Sequence, residues 1–76
     1  MGHNLDFDEG KVFSITKWFY GEYVTDDDTY EYTIISNWND WDEWTIDEID
    51  WNGKEPENIE EVEVEIHEMF NKYFYD

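Results

Sequence analysis

The chain has 76 residues, of which 22 are Asp or Glu and four are Lys, and its formal net charge is -18. This length predicts one small acidic domain over residues 1–76, and the absence of Cys excludes disulfides, thiolate nucleophiles and cysteine metal sites. No apolar run has the length of a membrane span, and we expect no secretory signal. The charge argues against direct binding to nucleic acid or anionic lipid, since both would repel the chain.

The aromatic content indicates a folded chain, although a high net charge is typical of disorder. Five Trp, five Phe and six Tyr make up 21% of the residues. Each such side chain buries about 150–250 Å² when it enters a core. We expect a small aromatic core that stabilises the fold by about 3–5 kcal/mol. Repulsion among the acids opposes folding, so the charge itself requires a functional explanation.

The first half of the chain predicts an antiparallel hairpin. Residues 11–24 and 29–36 are rich in β-branched and aromatic side chains, which favour strands. Gly21 predicts a bulge or a bend within the first of these strands. Residues 25–28 include three consecutive Asp residues and predict the turn, because Asp hydrogen-bonds to its own backbone and tolerates turn geometry.

A third strand is predicted over residues 44–51, which read WTIDEIDW. Its apolar side chains change phase between Ile46 and Ile49. This change predicts a bulge near Asp47 and Glu48, or a strand with both faces partly covered.

A helix is predicted over residues 57–74, after a turn at Asn52 and Gly53. Pro56 suits the first turn of a helix, and apolar residues then recur at spacings of three and four. That stripe consists of Ile59, Val62, Ile66, Met69 or Phe70, and Tyr73.

The predicted fold class is α+β, with a three-stranded antiparallel sheet (β-β-β-α) and the C-terminal helix packed on one face. The sheet lies within residues 11–51. Residues 1–10 form either a flexible arm or a short edge strand around Leu5 and Phe7.

The sequence predicts a protein that is not an enzyme and needs no cofactor. The Ser residues are Ser14 and Ser36 and the His residues are His3 and His67, and none lies in a nucleophile-elbow or Gly-rich context. With 22 carboxylates, some pair will meet the distance criterion for a glycosidase by chance, so such a pair is not specific.

A divalent-cation-binding module is one alternative, because carboxylate clusters suit Ca²⁺. The acidic runs are residues 6–10, 26–28 and 39–43. None matches the twelve-residue EF-hand loop; in the first run, Gly10 stands at the fifth position instead of the sixth. No residue is therefore assigned as a metal ligand.

The amount of charge matches that of a DNA surface of the same size. Duplex DNA carries one charge per ~1.7 Å, so 18 charges correspond to about 31 Å of duplex. A compact domain of this length is roughly 30 Å across, and a net charge of about 2–8 would suffice for solubility. Rows of acidic side chains can replace successive phosphates. Two such rows are predicted: one consists of Asp40 and Asp42, and the other of Glu57, Glu61, Glu65 and Glu68.

Two tryptophans in a polar segment, Trp38 and Trp41, are predicted to contact a partner, since Trp is common in binding hot spots. Trp44 and Trp51 are expected in the core. The acids predicted to steer the contact or to replace phosphates are Asp26, Asp27, Asp28, Asp40, Asp42 and Glu43. The aromatic residues of positions 70–75 either complete the core or form a homodimer face.

In size, charge and lack of catalytic groups, the whole chain resembles small acidic phage-type proteins that mimic DNA, such as anti-CRISPR and anti-restriction proteins. No motif ties it to one family, so no functional residue is transferred. The resemblance implies a non-enzymatic inhibitor in the cytoplasm of a bacterial host cell, acting as a monomer or a homodimer. It would occupy the DNA- or RNA-binding site of a basic nuclease or CRISPR effector by electrostatic and steric competition. The second alternative is an immunity protein or antitoxin that neutralises a basic nuclease toxin.

Overall fold

A computed structural model describes residues 2–13, 15–38 and 43–75 of the chain. The described residues form strands β1 (Gly2–Phe13), β2 (Thr16–Val24), β3 (Thr29–Trp38) and β4 (Trp44–Trp51), followed by helix α1 (Ile59–Tyr75). The strands make one antiparallel sheet in the order β1-β2-β3-β4, and α1 packs on one of its faces. The α+β class and the C-terminal helix are confirmed, whereas the prediction of three strands is wrong.

The additional strand exists because the chain reverses direction between Phe13 and Thr16, which are paired. Residues 11–24 were expected to form one strand, since the sequence has no Gly, Pro, Asn or Asp between Lys11 and Tyr20 to indicate a turn. Ile15 lies in the turn and is 59% exposed. Residues 2–10 therefore belong to β1.

The pairing between strands assigns the side chains to two faces. Phe19 and Ile34 are opposite each other and lie under α1, on what we call the helix face. Tyr20 and Thr33 are opposite each other on the other side, which we call the open face. In the described part of the chain, no helix or strand lies over the open face. Its described side chains are those of Asn4, Asp6, Thr16, Trp18, Tyr20, Glu22, Val24, Thr29, Glu31, Thr33, Ile35, Asn37, Thr45, Glu48 and Asp50.

The core lies between the helix face and α1. It consists of Phe19, Tyr23, Tyr32, Ile34, Trp51, Val62, Ile66 and Phe70. The Phe19 ring lies 6.2 Å from the Phe70 ring and 5.9 Å from the Phe74 ring, so aromatic contacts join sheet and helix. The predicted apolar stripe of α1 is confirmed at its buried positions. Tyr73 differs, because it is 51% exposed and stacks on Phe7 at the edge of the sheet.

A bulge in β4 keeps the core continuous. Ile35 pairs with Glu48 while Ser36 pairs with Ile46, so Asp47 is an extra residue without a partner position. The predicted bulge is confirmed. Because of it, Ile46 and Ile49 pack against the core from the same face although they are three residues apart.

Gly21 does not form the predicted bulge. It pairs in regular register with Leu5 on one side and Tyr32 on the other. A Cβ at this position would lie 2.8 Å from Cζ of Tyr32 and 2.9 Å from Cδ1 of Leu5. The side-chain packing, and not a bend of the strand, requires glycine here.

The helix begins two residues later than predicted. Pro56 is buried, and Glu57 and Asn58 form a turn before Ile59. The carbonyl of Asn58 accepts a hydrogen bond from the Val62 amide at 3.0 Å, so the helical bonding starts at this residue.

Candidate protein-binding surface

The predicted contact residues do not form a single patch. Asp26, Asp27 and Asp28 lie in the connection between β2 and β3, and Trp38 ends β3 at its other end. The ten residues of β3 span about 30 Å. The acidic turn and the tryptophan segment are therefore at opposite ends of the sheet.

The acidic turn is held by its own backbone. The Thr25 amide donates to the Asp28 carbonyl at 2.8 Å, and the Asp28 amide donates to the Thr25 hydroxyl at 3.0 Å. Asp26 and Asp27 are exposed. The Asp28 carboxylate accepts a hydrogen bond from the Lys54 ammonium, and this bond raises the pKa of Lys54. Asp26 and Asp27 therefore present their charge to solvent, whereas the charge of Asp28 is compensated.

At the other end of the sheet, Trp38 is 38% exposed and its ring lies 5.3 Å from the Trp44 ring. The Tyr75 hydroxyl donates to the Trp44 carbonyl, so α1 also supports this end. Glu43 is exposed. Three further predicted residues, Asp40, Trp41 and Asp42, lie outside the described residues. The expectation of core positions is confirmed for Trp51, which is buried, while Trp44 is partly buried and packs against the core.

The predicted acidic row on the helix lies on one flank of α1. Glu61, Glu65 and Glu68 follow at spacings of four and three residues, and Glu57 precedes the helix. Glu57, Glu61 and Glu68 are exposed, but Glu65 is partly buried. Its carboxylate lies 3.0 Å from Nε2 of His3. The row is thus brought together, and one of its members makes an internal contact.

His3 forms a structural cluster that the sequence did not indicate. Its side chain is 8% exposed. A carboxylate only accepts hydrogen bonds, so Nε2 donates to Glu65, and in the neutral ring Nδ1 accepts from the Tyr32 hydroxyl at 3.2 Å. Burial raises the pKa of Tyr32. The cluster ties β1, β3 and α1 together.

The open face carries two half-exposed aromatic side chains at its centre. Trp18 is 37% exposed and Tyr20 is 39% exposed. They are two residues apart on β2 and therefore about 6.6 Å apart on the same face. Ile35 lies opposite Trp18. Trp and Tyr are the residues most often found at the centre of protein interfaces.

Acidic side chains border these aromatics on three sides. The register places Asp6 on β1, Glu22 on β2, Glu31 on β3, and Glu48 and Asp50 on β4. Three described lysine side chains lie elsewhere: Lys17 is over the Phe19 ring, Lys54 contacts Asp28, and Lys72 is in α1. The register also pairs Lys11 of β1 with Trp18. The open face therefore combines an aromatic centre with a negative border.

A shallow depression lies beside Tyr20 on this face. Its lining includes Asn4, Glu22, Glu31 and Asn52. Glu22 and Glu31 are directly opposite each other on neighbouring strands. The Asn4 amide donates to Oε1 of Glu22 at 3.0 Å, which fixes this carboxylate.

Within residues 2–13, 15–38 and 43–75, no group of three or more His, Cys, Asp or Glu side chains has an arrangement that could hold a metal ion. No helix in the described ranges is long and apolar enough to cross a membrane. Ser36 is fully buried and its hydroxyl donates to the Lys17 carbonyl at 2.7 Å, while His67 is exposed on α1.

No family model matches the chain, and neither a curated protein nor a solved structure matches it. The features that bear on function are therefore the charge and the geometry of this chain itself.

Proposed function

We propose that the protein is a non-enzymatic inhibitor that mimics nucleic acid and occupies the DNA- or RNA-binding site of a basic host defence protein, such as a CRISPR effector or a restriction nuclease. The observation that carries this proposal is the density of charge. The protein has 18 net negative charges and extents of 40 × 23 × 20 Å. Dividing 40 Å by 18 gives one net charge per about 2.2 Å of the long axis, against one per ~1.7 Å in duplex DNA.

This charge is available at the surface. Every Asp and Glu side chain that the structure describes is exposed or partly exposed. Four lysines can compensate at most four of the 22 acids, which leaves 18. Most of the charge is therefore free to act outward on a partner, beyond the few carboxylates, such as Glu65 and Asp28, that make contacts within the fold.

The inhibition would be competitive. A negative field of this size attracts a positively charged binding channel over a distance, and raises the rate of association at low salt. Once the two proteins are in contact, exposed aromatic side chains such as Trp18 and Tyr20 supply short-range binding energy. The bound inhibitor then excludes nucleic acid by its volume and by its charge.

The first test is a pull-down from nuclease-treated lysate of candidate host cells, with the tagged protein as bait and elution in a salt gradient. We expect recovery of one nucleic-acid-binding protein that elutes at high salt. The purified target should release labelled DNA or RNA when the inhibitor is added, and about 0.5 M salt should weaken the complex. The proposal would be contradicted if this salt left the affinity of the complex unchanged, or if the target bound nucleic acid and the inhibitor at the same time. Recovery of a toxin nuclease encoded beside the gene would identify an immunity protein instead.

A further inference from the structure

Glu22 and Glu31 hold an unfavourable arrangement in the free protein. They occupy directly opposite positions on β2 and β3, where Cβ atoms are about 4.5–5.5 Å apart and like charges destabilise a sheet. The polar side chains beside them, Asn4 and Asn52, are neutral. The described lysine side chains lie elsewhere, and the Lys11 backbone is paired with Trp18, about 13 Å along β2 from Glu22. A cation from another molecule would relieve the repulsion.

The same depression has an aromatic wall. Tyr20 is on the same strand and the same face as Glu22, lines the depression and is 39% exposed. Trp18 extends the aromatic surface by one further position along β2. Aromatic rings attract cations that lie over their faces within about 6 Å. The depression therefore offers two carboxylates and a ring to one positive group.

Resting on the proposed function, we infer that the open face docks on an arginine-bearing segment of the basic target, and that the depression beside Tyr20 holds one arginine guanidinium between Glu22 and Glu31. Arginine fits this place better than lysine. Its planar guanidinium has five donors, so it can bond to two carboxylates and stack on a ring at the same time, whereas a lysine ammonium is a compact point charge. Such an arginine would be one that holds a phosphate in the complex with nucleic acid.

When one of the two carboxylates is removed, the stability of the free protein and its binding of arginine should change in opposite directions. Replacing Glu31 with Gln removes the repulsion with Glu22, so the free protein should become more stable. The same replacement removes one of the two carboxylates that receive the guanidinium, so binding should become weaker. Removing any acid from this face should do both to a small extent, because it lowers the net charge of -18. The arginine site therefore requires that Glu31→Gln weaken binding more than a matched acid does, and more for arginine than for lysine.

The experiment titrates the full-length chain with polyarginine and polylysine peptides of equal length and follows binding by calorimetry. We expect the wild-type protein to bind polyarginine about tenfold more tightly than polylysine at the same salt. Glu31→Gln should lower the affinity for polyarginine about tenfold and raise the melting temperature. Tyr20→Leu should abolish the preference for arginine, and Tyr20→Phe should keep it. The matched control is Glu48→Gln, which removes one charge from the same face at the position on β4 opposite Ile35.

In the control variant, both peptides should bind more weakly by the same small factor, since only the long-range charge has changed. Equal affinity of the wild-type protein for the two peptides would overturn the inference, as would identical effects of Glu31→Gln and Glu48→Gln. Neither result would affect the pull-down. Recovery of a nucleic-acid-binding target would then still support the proposed function, with contacts other than this arginine site.

Discussion

The centre of the sheet is sensitive to the addition of one methyl group at Gly21. In Gly21→Ala the new Cβ would lie 2.8 Å from Cζ of Tyr32, whereas carbon atoms in contact are about 3.5–4.0 Å apart. The Tyr32 ring is 1% exposed and its hydroxyl is bonded to His3, so it has little room to move. Overpacking of this kind costs about 1–3 kcal/mol, while replacing Gly by Ala inside a strand gains about 0.5–1 kcal/mol. We expect a net loss of about 1 kcal/mol, or a melting temperature lower by about 4–8 °C.

The assay is thermal unfolding followed by far-ultraviolet circular dichroism, with urea unfolding as an independent measure. Gly2→Ala is the matched control, because no atom lies within 4 Å of a Cβ built at Gly2 in the same sheet. That variant should melt at the wild-type temperature or slightly above it. If Gly21→Ala also melted at or above the wild-type temperature, Tyr32 and Leu5 would have to move apart easily, and the packing explanation for this glycine would be refuted.

Burial raises the pKa of Tyr32, so its contribution to stability is complete below the ordinary Tyr pKa and is lost as the pH rises above about 10. The urea midpoint of the wild-type protein should therefore decrease as the pH rises above that value. The decrease per pH unit should be smaller in Tyr32→Phe and the same as wild type in Tyr75→Phe, whose hydroxyl is at the surface. An equal decrease in all three proteins would contradict this. Added salt, up to about 0.5 M, should raise the melting temperature in scanning calorimetry because it screens repulsion among the acids; no response would show that the carboxylates do not repel one another. Phe70→Ala should cost about 3–5 kcal/mol, as much as the whole expected stability, whereas Phe70→Leu should fold; a cooperative unfolding transition in Phe70→Ala would show a larger stability reserve.

The parts of the fold predicted correctly are those encoded by neighbouring residues. The hairpin of β2 and β3 has alternating side chains and an Asp-rich turn, and the bulge at Asp47 follows from a change of phase within β4. The turn between β1 and β2 had no such signal. Residues 14–15 are Ser and Ile, and the surrounding residues continue the same strand-like composition. The reversal of the chain between Phe13 and Thr16 depends on the pairing of β1 with β2, which a linear pattern does not contain.

The candidate surface was less predictable for a related reason. Prediction from linear clusters found the acidic turn and the tryptophan segment, which lie at opposite ends of the sheet. Asp6, Glu22, Glu31 and Asp50 come from four strands and meet only through the register. Trp18 and Tyr20 share a face in any strand over these residues, because they are two positions apart. It did not show that α1 covers the other face, because both phases of residues 11–24 contain aromatic side chains.

The contact between His3 and Glu65 also sets an order of events during folding. The β1–β2 and β2–β3 pairs can close as soon as adjacent segments have been synthesised, whereas His3 meets a residue 62 positions later in the chain. Contacts between distant residues form slowly because a long loop must be closed first. On the ribosome, β1 emerges first, but its contact with α1 forms only when α1 has been made. Until then His3 lacks the Glu65 carboxylate, and the first strand is held by its pairing with β2 and by the hydrogen bond between His3 and Tyr32 of β3.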